Sequence, residues 1–207
     1  MTPEEVKQFE GYKKNADKGN AQDQSKLAEC YYRGNGVAQD SVQAFSWFRK
    51  AADQGDANAQ GWMGACYQEG DGVAKDEAKA VVWYQKSAEQ GDTNAQFMLG
   101  ICYDNGAGVA KDSIQAFYWW RKAAEMGNAS AQFGLGAYYA SGVAVTKDLV
   151  EAFAYWSLAG KTDEVARRNI ARLKTLMSPA DLLRGQQRAK ELQKEIEVKI
   201  AATKAGK

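Results

Sequence analysis

The chain has 207 residues, 45% hydrophobic and 11% aromatic, a composition that suits a folded protein with a sizeable core. Lys plus Arg total 27 and Asp plus Glu total 26, so a net charge of +1 supplies no overall field for nucleic acid or an anionic membrane. There is no His, which removes the commonest neutral-pH acid/base group and the commonest metal ligand. No apolar run approaches the roughly 18 residues that a membrane-spanning helix needs.

Residues 4–18 read as the second half of a repeat, with Val6, Phe9, Tyr12 and Ala16 in register with Val42, Phe45, Phe48 and Ala52. Segments 19–54, 55–90, 91–126 and 127–162 then align without a gap at a period of 36, and the second and third agree at 19 of 36 positions. A fixed period of this length marks a repeat array. Each repeat reads as two amphipathic helices. In the third, Ala95, Leu99, Cys102 and Tyr103 recur at helical spacing, and so do Ala116, Trp119, Trp120 and Ala123. Asn20, Asp56, Asp92 and Asn128 stand where the first helix needs an N-cap, and Asp40, Asp76, Asp112 and Asp148 where the second does. Gln43, Gln115 and Glu151 follow three of these Asp at capping-box spacing. Gly34, Gly70, Gly106 and Gly142 end the first helices, and Gly36, Gly72 and Gly108 set a tight turn that the fourth repeat makes with Ala144. Gly64, Gly100 and Gly136, inside the first helices, predict close approach of the partner helix. Most of the 20 glycines are therefore helix punctuation.

The repeat stops after about residue 162. A helix is predicted from about Thr162 to Leu176, the first helix of a degenerate fifth repeat. Ser178-Pro179-Ala180-Asp181 then starts a last helix running to about Ala202. Its narrow stripe of Leu182, Ala189, Leu192, Ile196 and Ile200 predicts a cap over the array, with self-association or partner docking as the alternative. Residues 55–161 carry 8 basic and 12 acidic side chains, and residues 162–207 carry 11 and 6. The basic excess of the tail reads as a solvated helix face, because acids are interleaved and no aromatic platform accompanies it. The organisation expected is thus a repeat array over 1–162 and a helical cap with basic tail over 163–207.

Cys30, Cys66 and Cys102 lie one period apart, too far apart on adjacent helices to pair, and read as small core residues. Three isolated thiols without His make a metal site implausible, and no cofactor motif is present. The recurring Asp are explained by capping; Asp104 and Glu69 remain as carboxylates with no partner marked by the sequence. Trp47, Trp83, Trp119, Tyr155 and Trp156 read as interhelical packing.

The pattern resembles the Sel1-like repeat family, relatives of the tetratricopeptide repeat. The residues that carry the likeness are Ala95, Gln96, Leu99, Gly100, Tyr103, Gly106, Gly108, Val109, Asp112, Ala116, Trp119, Lys122, Ala123, Ala124 and Gly127. The resemblance implies an all-α, right-handed α/α solenoid of four to five repeats. It also implies a non-catalytic adaptor or scaffold, of a kind common in bacteria. A Cys-rich branch of the family uses disulfides within each repeat; this sequence lacks that pairing, so that branch's activity is not carried over.

By analogy with related repeats, the first helices line a concave face. Gln22, Ser25, Glu29, Tyr32 and Arg33 are its expected members in the first repeat, and Asn58, Gly61, Ala65, Gln68 and Glu69 in the second. The third offers Asn94, Phe97, Ile101, Asp104 and Asn105, and the fourth Ser130, Phe133, Ala137, Ala140 and Ser141. Tyr32, Arg33, Asn58, Glu69, Asn94, Phe97, Ile101, Asp104, Asn105 and Phe133 are the candidate binding residues for an unidentified protein or peptide. Phe97 and Phe133 read equally well as packing between neighbouring first helices. A hydrolase working from groove carboxylates and a single-stranded RNA binder are the alternatives, the second weakened by a face whose only cation is Arg33. No nucleic acid or membrane insertion is expected. The opening Met-Thr-Pro-Glu-Glu has no apolar signal segment, which suits a cytoplasmic protein, or a periplasmic or secreted one whose signal has been removed.

Overall fold

The computed structural model describes residues 2–205, which form eleven α-helices and, among the described residues, no strand. They fall into two compact units that divide between residues 110 and 111.

The first unit holds α1 (Pro3–Ala16), α2 (Ala21–Arg33), α3 (Ser41–Asp53), α4 (Ala57–Glu69), α5 (Glu77–Glu89) and α6 (Thr93–Asn105). Each helix packs against the next, the tightest pairs being α2 with α3 and α4 with α5. The N-caps are those the sequence marks. Asn20, Asp56 and Asp92 accept from the backbone N–H three residues on at 2.7–2.9 Å, and Asp40 and Asp76 do so for α3 and α5. A cap of this kind stabilises a helix by roughly 1 kcal/mol. The boxes at the second helices are not reciprocal, however. The cap N–H of Asp40 and Asp76 donates instead to Tyr31 O and Tyr67 O of the preceding helix, which ties the two helices of a repeat together. Among the described residues, Thr2 and Glu5 form the reciprocal box, at α1.

Three contacts recur at the 36-residue step and stack one repeat on the next. Gln24, Gln60 and Gln96, all buried, donate Nε2 to Ala16 O, Ala52 O and Ala88 O at 3.1–3.2 Å. These carbonyls belong to the last turn of the preceding helix, where each also accepts from the N–H of Gly19, Gly55 or Gly91, so the amide takes the second lone pair. Phe9 meets Tyr31 edge-to-face at 5.4 Å, and Phe45 meets Tyr67 at 5.5 Å. Finally, the turn glycine presses onto the start of the helix one repeat back. A Cβ on Gly72, at φ +70°, would lie 2.1 Å from Ser41 O, and one on Gly108 would lie as close to Glu77 O. The helix-interior Gly64 is closely approached by the partner helix, as expected, through a ring: its Cβ would stand 2.5 Å from Tyr84 of α5.

The second unit holds α7 (Ser113–Glu125), α8 (Ala129–Ser141), α9 (Leu149–Ala159), α10 (Glu164–Lys174) and α11 (Pro179–Ala205). α7 to α9 repeat the scheme: Gln132 donates to Ala124 O, Phe117 meets Tyr139 edge-to-face, and the Trp156 ring abuts Gly136. Two features depart from it. Ala144 takes the glycine turn position at φ +60°, a left-handed conformation that a Cβ disfavours, and α9 ends early at Gly160.

Asp163 caps α10 and accepts from Ala166 N at 2.8 Å, as Asn128 accepts from Ala131 N. Ala166 is fully buried, as Ala59 and Ala131 are. α10 is therefore a first helix one residue out of the 36-step. The expected helix from Thr162 to Leu176 is trimmed by this cap at one end and by Thr175 at the other. Ser178 caps α11, accepting from Asp181 N. α11 lies along α9 and reaches α7, burying Leu192 and Ile196; Gly185 lets it approach Phe153. Its docking is polar as well. Arg188 Nε donates to Glu151 Oε1 at 2.8 Å and its Nη1 to Glu195 Oε1 at 3.1 Å, while Lys199 pairs with Glu125. The long helix is thus a cover for α9.

The three thiols are free and buried. Burial pushes Cys66 up to about 12 and Cys102 up to about 11. Trp47 and Trp83 are half-buried rather than fully interior, each with a Lys three residues on lying over its ring: Lys50 at 3.7 Å and Lys86 at 4.1 Å. In the second unit Lys122 stands 5.0 Å from the Trp119 ring in the same way.

Candidate functional site

In the first unit the first helices α2, α4 and α6 wall an open groove of about 440 Å³. Small residues on α4 make the depth: Gly61 and Ala65 line the floor, with Ala95 from α6. Trp62 and Met98, one period apart, supply the apolar surface. Trp62 is held from behind by Phe48, stacked at 5.2 Å, and by Tyr32, tilted at 4.9 Å. Arg33 stands over the Trp62 ring with Cζ 6.0 Å from its centroid, within cation–π range.

The polar rim is a set of amides and carboxylates. Asn58 and Asn94 are exposed at equivalent positions of α4 and α6. Asn58 Nδ2 reaches Glu29 Oε1 at 3.5 Å. Gln68 Nε2 donates to Glu69 Oε1 at 2.9 Å, and its own Oε1 accepts from Tyr84 OH at 3.2 Å. Burial pushes the Tyr84 phenol far above its ordinary value, so the groove keeps it as a neutral donor. Asp92 sits at the rim while capping α6. Glu29, Glu69 and Asp92 face a single cation, Arg33, so the groove is acidic.

Of the candidate residues, Arg33, Asn58, Glu69 and Asn94 line this groove together. Tyr32 lies behind it, with its hydroxyl donating to Asp71 Oδ2 at 3.2 Å. Phe97, Ile101 and Asp104 are half-buried and Asn105 is exposed, and none of the four lines it. Phe133 belongs to the second unit. It is half-buried, packs against the core around Phe153 and Trp156, and its carbonyl accepts from Trp156 Nε1 at 3.1 Å. Ser25, expected on the open face, is buried at 4% exposure, and its hydroxyl has no partner among the described residues. The helix turns it inward beside Gln24, which faces the preceding repeat. Glu69 is exposed on the groove rim and Asp104 is not part of that groove, so the two carboxylates do not share an enclosed site.

Sequence reasoning missed Trp62, Met98 and Tyr84. A signal for the first two existed. The positions equivalent to Trp62 and Met98 are Lys26 and Gly134, and a position so variable between stacked repeats is not a core position. Tyr84 lies on a second helix and reaches the groove past Gly64, which the pattern of first helices alone does not reveal. Among the described residues no cluster of His, Cys, Asp and Glu could hold a metal, and no helix is long and apolar enough to cross a membrane.

Comparison with known proteins agrees with this architecture. Four consecutive Sel1 repeats are recognised at residues 21–56, 57–92, 93–128 and 129–161. The crystal structure of c5321, a protective antigen of uropathogenic Escherichia coli with an SLR fold, is similar at 36% identity and a TM-score of 0.84, over 96% of this chain and 43% of that one. A Sel1 repeat protein from Oxalobacter formigenes is similar at 35% identity and a TM-score of 0.76, over 82% of this chain and 49% of that one. The immunity protein Pa5087 from Pseudomonas aeruginosa shares the fold at 22% identity and a TM-score of 0.54, over 93% and 73% of the two chains. No curated protein matches. The chain spans less than half the length of the first two of these relatives. Four matched repeats, each with its glutamine amide on the end of the helix before it, make this chain a member of the Sel1 repeat family.

Proposed function

We propose that this chain is a non-catalytic interaction scaffold whose first unit binds an extended segment of a partner polypeptide in the groove between α2, α4 and α6. Sel1 repeat proteins generally serve as protein-interaction scaffolds and are typically non-catalytic. The observation that carries the finer reading is the combination at one groove of Trp62 and Met98 with the paired amides of Asn58 and Asn94. An Asn side chain offers one acceptor and two donors, the complement of a peptide unit in an extended chain. An apolar residue of the ligand would cover Trp62 and Met98, and a Lys or Arg would meet Glu29, Glu69 and Asp92. The expected ligand is therefore a basic segment with one apolar anchor.

Selection of displayed random peptides tests this reading. The wild-type chain should enrich basic peptides with an apolar anchor. The Asn58→Ala/Asn94→Ala variant, altered only at exposed positions, should bind the enriched peptides roughly tenfold more weakly. Equal affinity of wild type and variant for those peptides would overturn the assignment of the groove.

A further inference from the structure

The basic residues that the sequence reads as a solvated face converge in the second unit. A cleft of about 460 Å³ opens between α10 and α11 over the end of α9. Lys161, Arg167, Lys174 and Lys190 surround it, Phe153 and Ile170 form its apolar floor, and no carboxylate lines it. Arg167 is partly offset, since it donates to Gly160 O at 3.1 Å and stands 3.5 Å from Glu164. Lys161 donates to the neutral amide oxygen of Gln193. Among the described residues, neither Lys174 nor Lys190 has a carboxylate within 4.0 Å. Like charges around a concavity with low-dielectric walls focus a positive potential into it.

The second observation concerns α10. The first helices α2, α4 and α8 each pack along the second helix that follows. α10 shares their cap and their buried alanine and packs on α9 in the same way. α11, which follows it, packs on α9 and reaches α7, and has no comparable packing with α10. Arg167, Ile170 and Lys174 share one side of α10 at helical spacing and stand at the positions of Gln132, Leu135 and Tyr139, so Lys174 takes the place beside Phe153 that Tyr139 takes beside Phe117, and the cleft opens there.

We propose that this cleft docks a segment of a partner protein in which acidic side chains flank an apolar anchor. The anchor enters over Phe153 and Ile170, and Asp or Glu on either side of it meet Lys161, Lys174 and Lys190. The pairing fits the charge of the cleft and the apolar surface at its floor. Single-stranded nucleic acid fits less well, because the cleft holds a single ring and no row of aromatic faces on which successive bases could stack. A bilayer fits less well too, because a flat headgroup plane cannot enter a concavity.

The test uses the full chain, a library of displayed peptides and a Lys174→Glu/Lys190→Glu variant, both sites being exposed. At about 0.15 M salt, wild type should enrich peptides with acids flanking an apolar residue, and the variant should bind them roughly tenfold more weakly with unchanged circular dichroism. A Lys174→Gln/Lys190→Gln variant should show an intermediate loss, and serves alone if the charge reversal disturbs folding. Phosphatidylglycerol vesicles and oligo(dT) are run in parallel. Enriched peptides without an acidic excess would overturn the proposal. So would vesicles or oligo(dT) that hold the protein more tightly than the peptides do, through the same lysines.

Discussion

The two units of this chain share a vocabulary and use it differently. In the first, the interfaces reuse the same contacts one period apart: a glutamine amide on a helix-end carbonyl, a ring pair except where Val81 replaces the Phe, and a glycine pressed onto the preceding repeat. In the second, α7 to α9 keep the first two, but Ala144 replaces the glycine, and α10 and α11 introduce contacts found nowhere else, such as Arg188 with Glu151. The open surfaces differ as well. The groove of the first unit is acidic over Trp62, whereas the cleft of the second is basic over Phe153. Repetition fixes the stacking, and individuality enters where repetition is relaxed: at positions such as Trp62 that vary between repeats, and past the last matched repeat.

The largest effect that would sharpen this comparison comes from the turn glycines. Gly72→Ala places a Cβ against Ser41 O in a left-handed conformation, and should destabilise the chain by about 3 kcal/mol or more. The urea midpoint measures it, and a loss comparable to that of an ordinary surface substitution would show that the turn can move away. Alkaline titration should strike the first unit next. Cys66 has an ordinary value of 9.0 and is held near 12 in the fold, so unfolded chains lose this proton first. The stability it supports is complete below about 9 and is lost as pH rises toward about 12. Cys102 acts in the same sense up to about 11. The urea midpoint should fall across this range, and fall less steeply in a Cys66→Ala/Cys102→Ala variant; identical slopes would refute the assignment to these thiols.

In the second unit, Arg188→Ala should cost about 1 kcal/mol, a modest value because the ion pairs are partly exposed. Hydrogen exchange should localise that loss to α11, and uniform loss across both units would contradict the picture of a separately pinned cover. The smallest change runs the other way. Ala144→Gly relieves a left-handed alanine but loosens the unfolded chain, for a net gain of about 0.5 kcal/mol in the thermal midpoint. A loss would mean that the alanine methyl makes a contact worth more than its strain.

Local structure was legible because its causes are local. The caps at Asp40, Asp56 and Asp92, the left-handed glycines and the start of α11 at Ser178 each depend on residues within one turn. The stacking contacts were half legible. Gln96 stands among the residues that carry the family likeness, but the bond of its equivalent Gln60 to Ala52 O joins helices of adjacent repeats and leaves no signature of its own in the sequence. The groove was legible as a face, through Asn58 and Asn94, yet Ser25 was placed on it although the helix turns it inward. The basic cleft was not legible. Lys161, Arg167, Lys174 and Lys190 come from the turn after α9 and from two helices, α10 and α11, and their meeting depends on how those helices settle on α9.

The glutamine bond has a consequence for how such a chain can change length. Gln60 recognises nothing peculiar to the repeat before it, only a carbonyl that every second helix presents at its end. A duplicated or deleted stretch of one whole period would therefore bring each amide to a carbonyl of the right kind. A gain or loss of one residue within a helix would rotate the amide away from it. Evolution by recombination can thus lengthen or shorten the array in whole steps, adding one wall to the groove each time, with no need to invent a new interface.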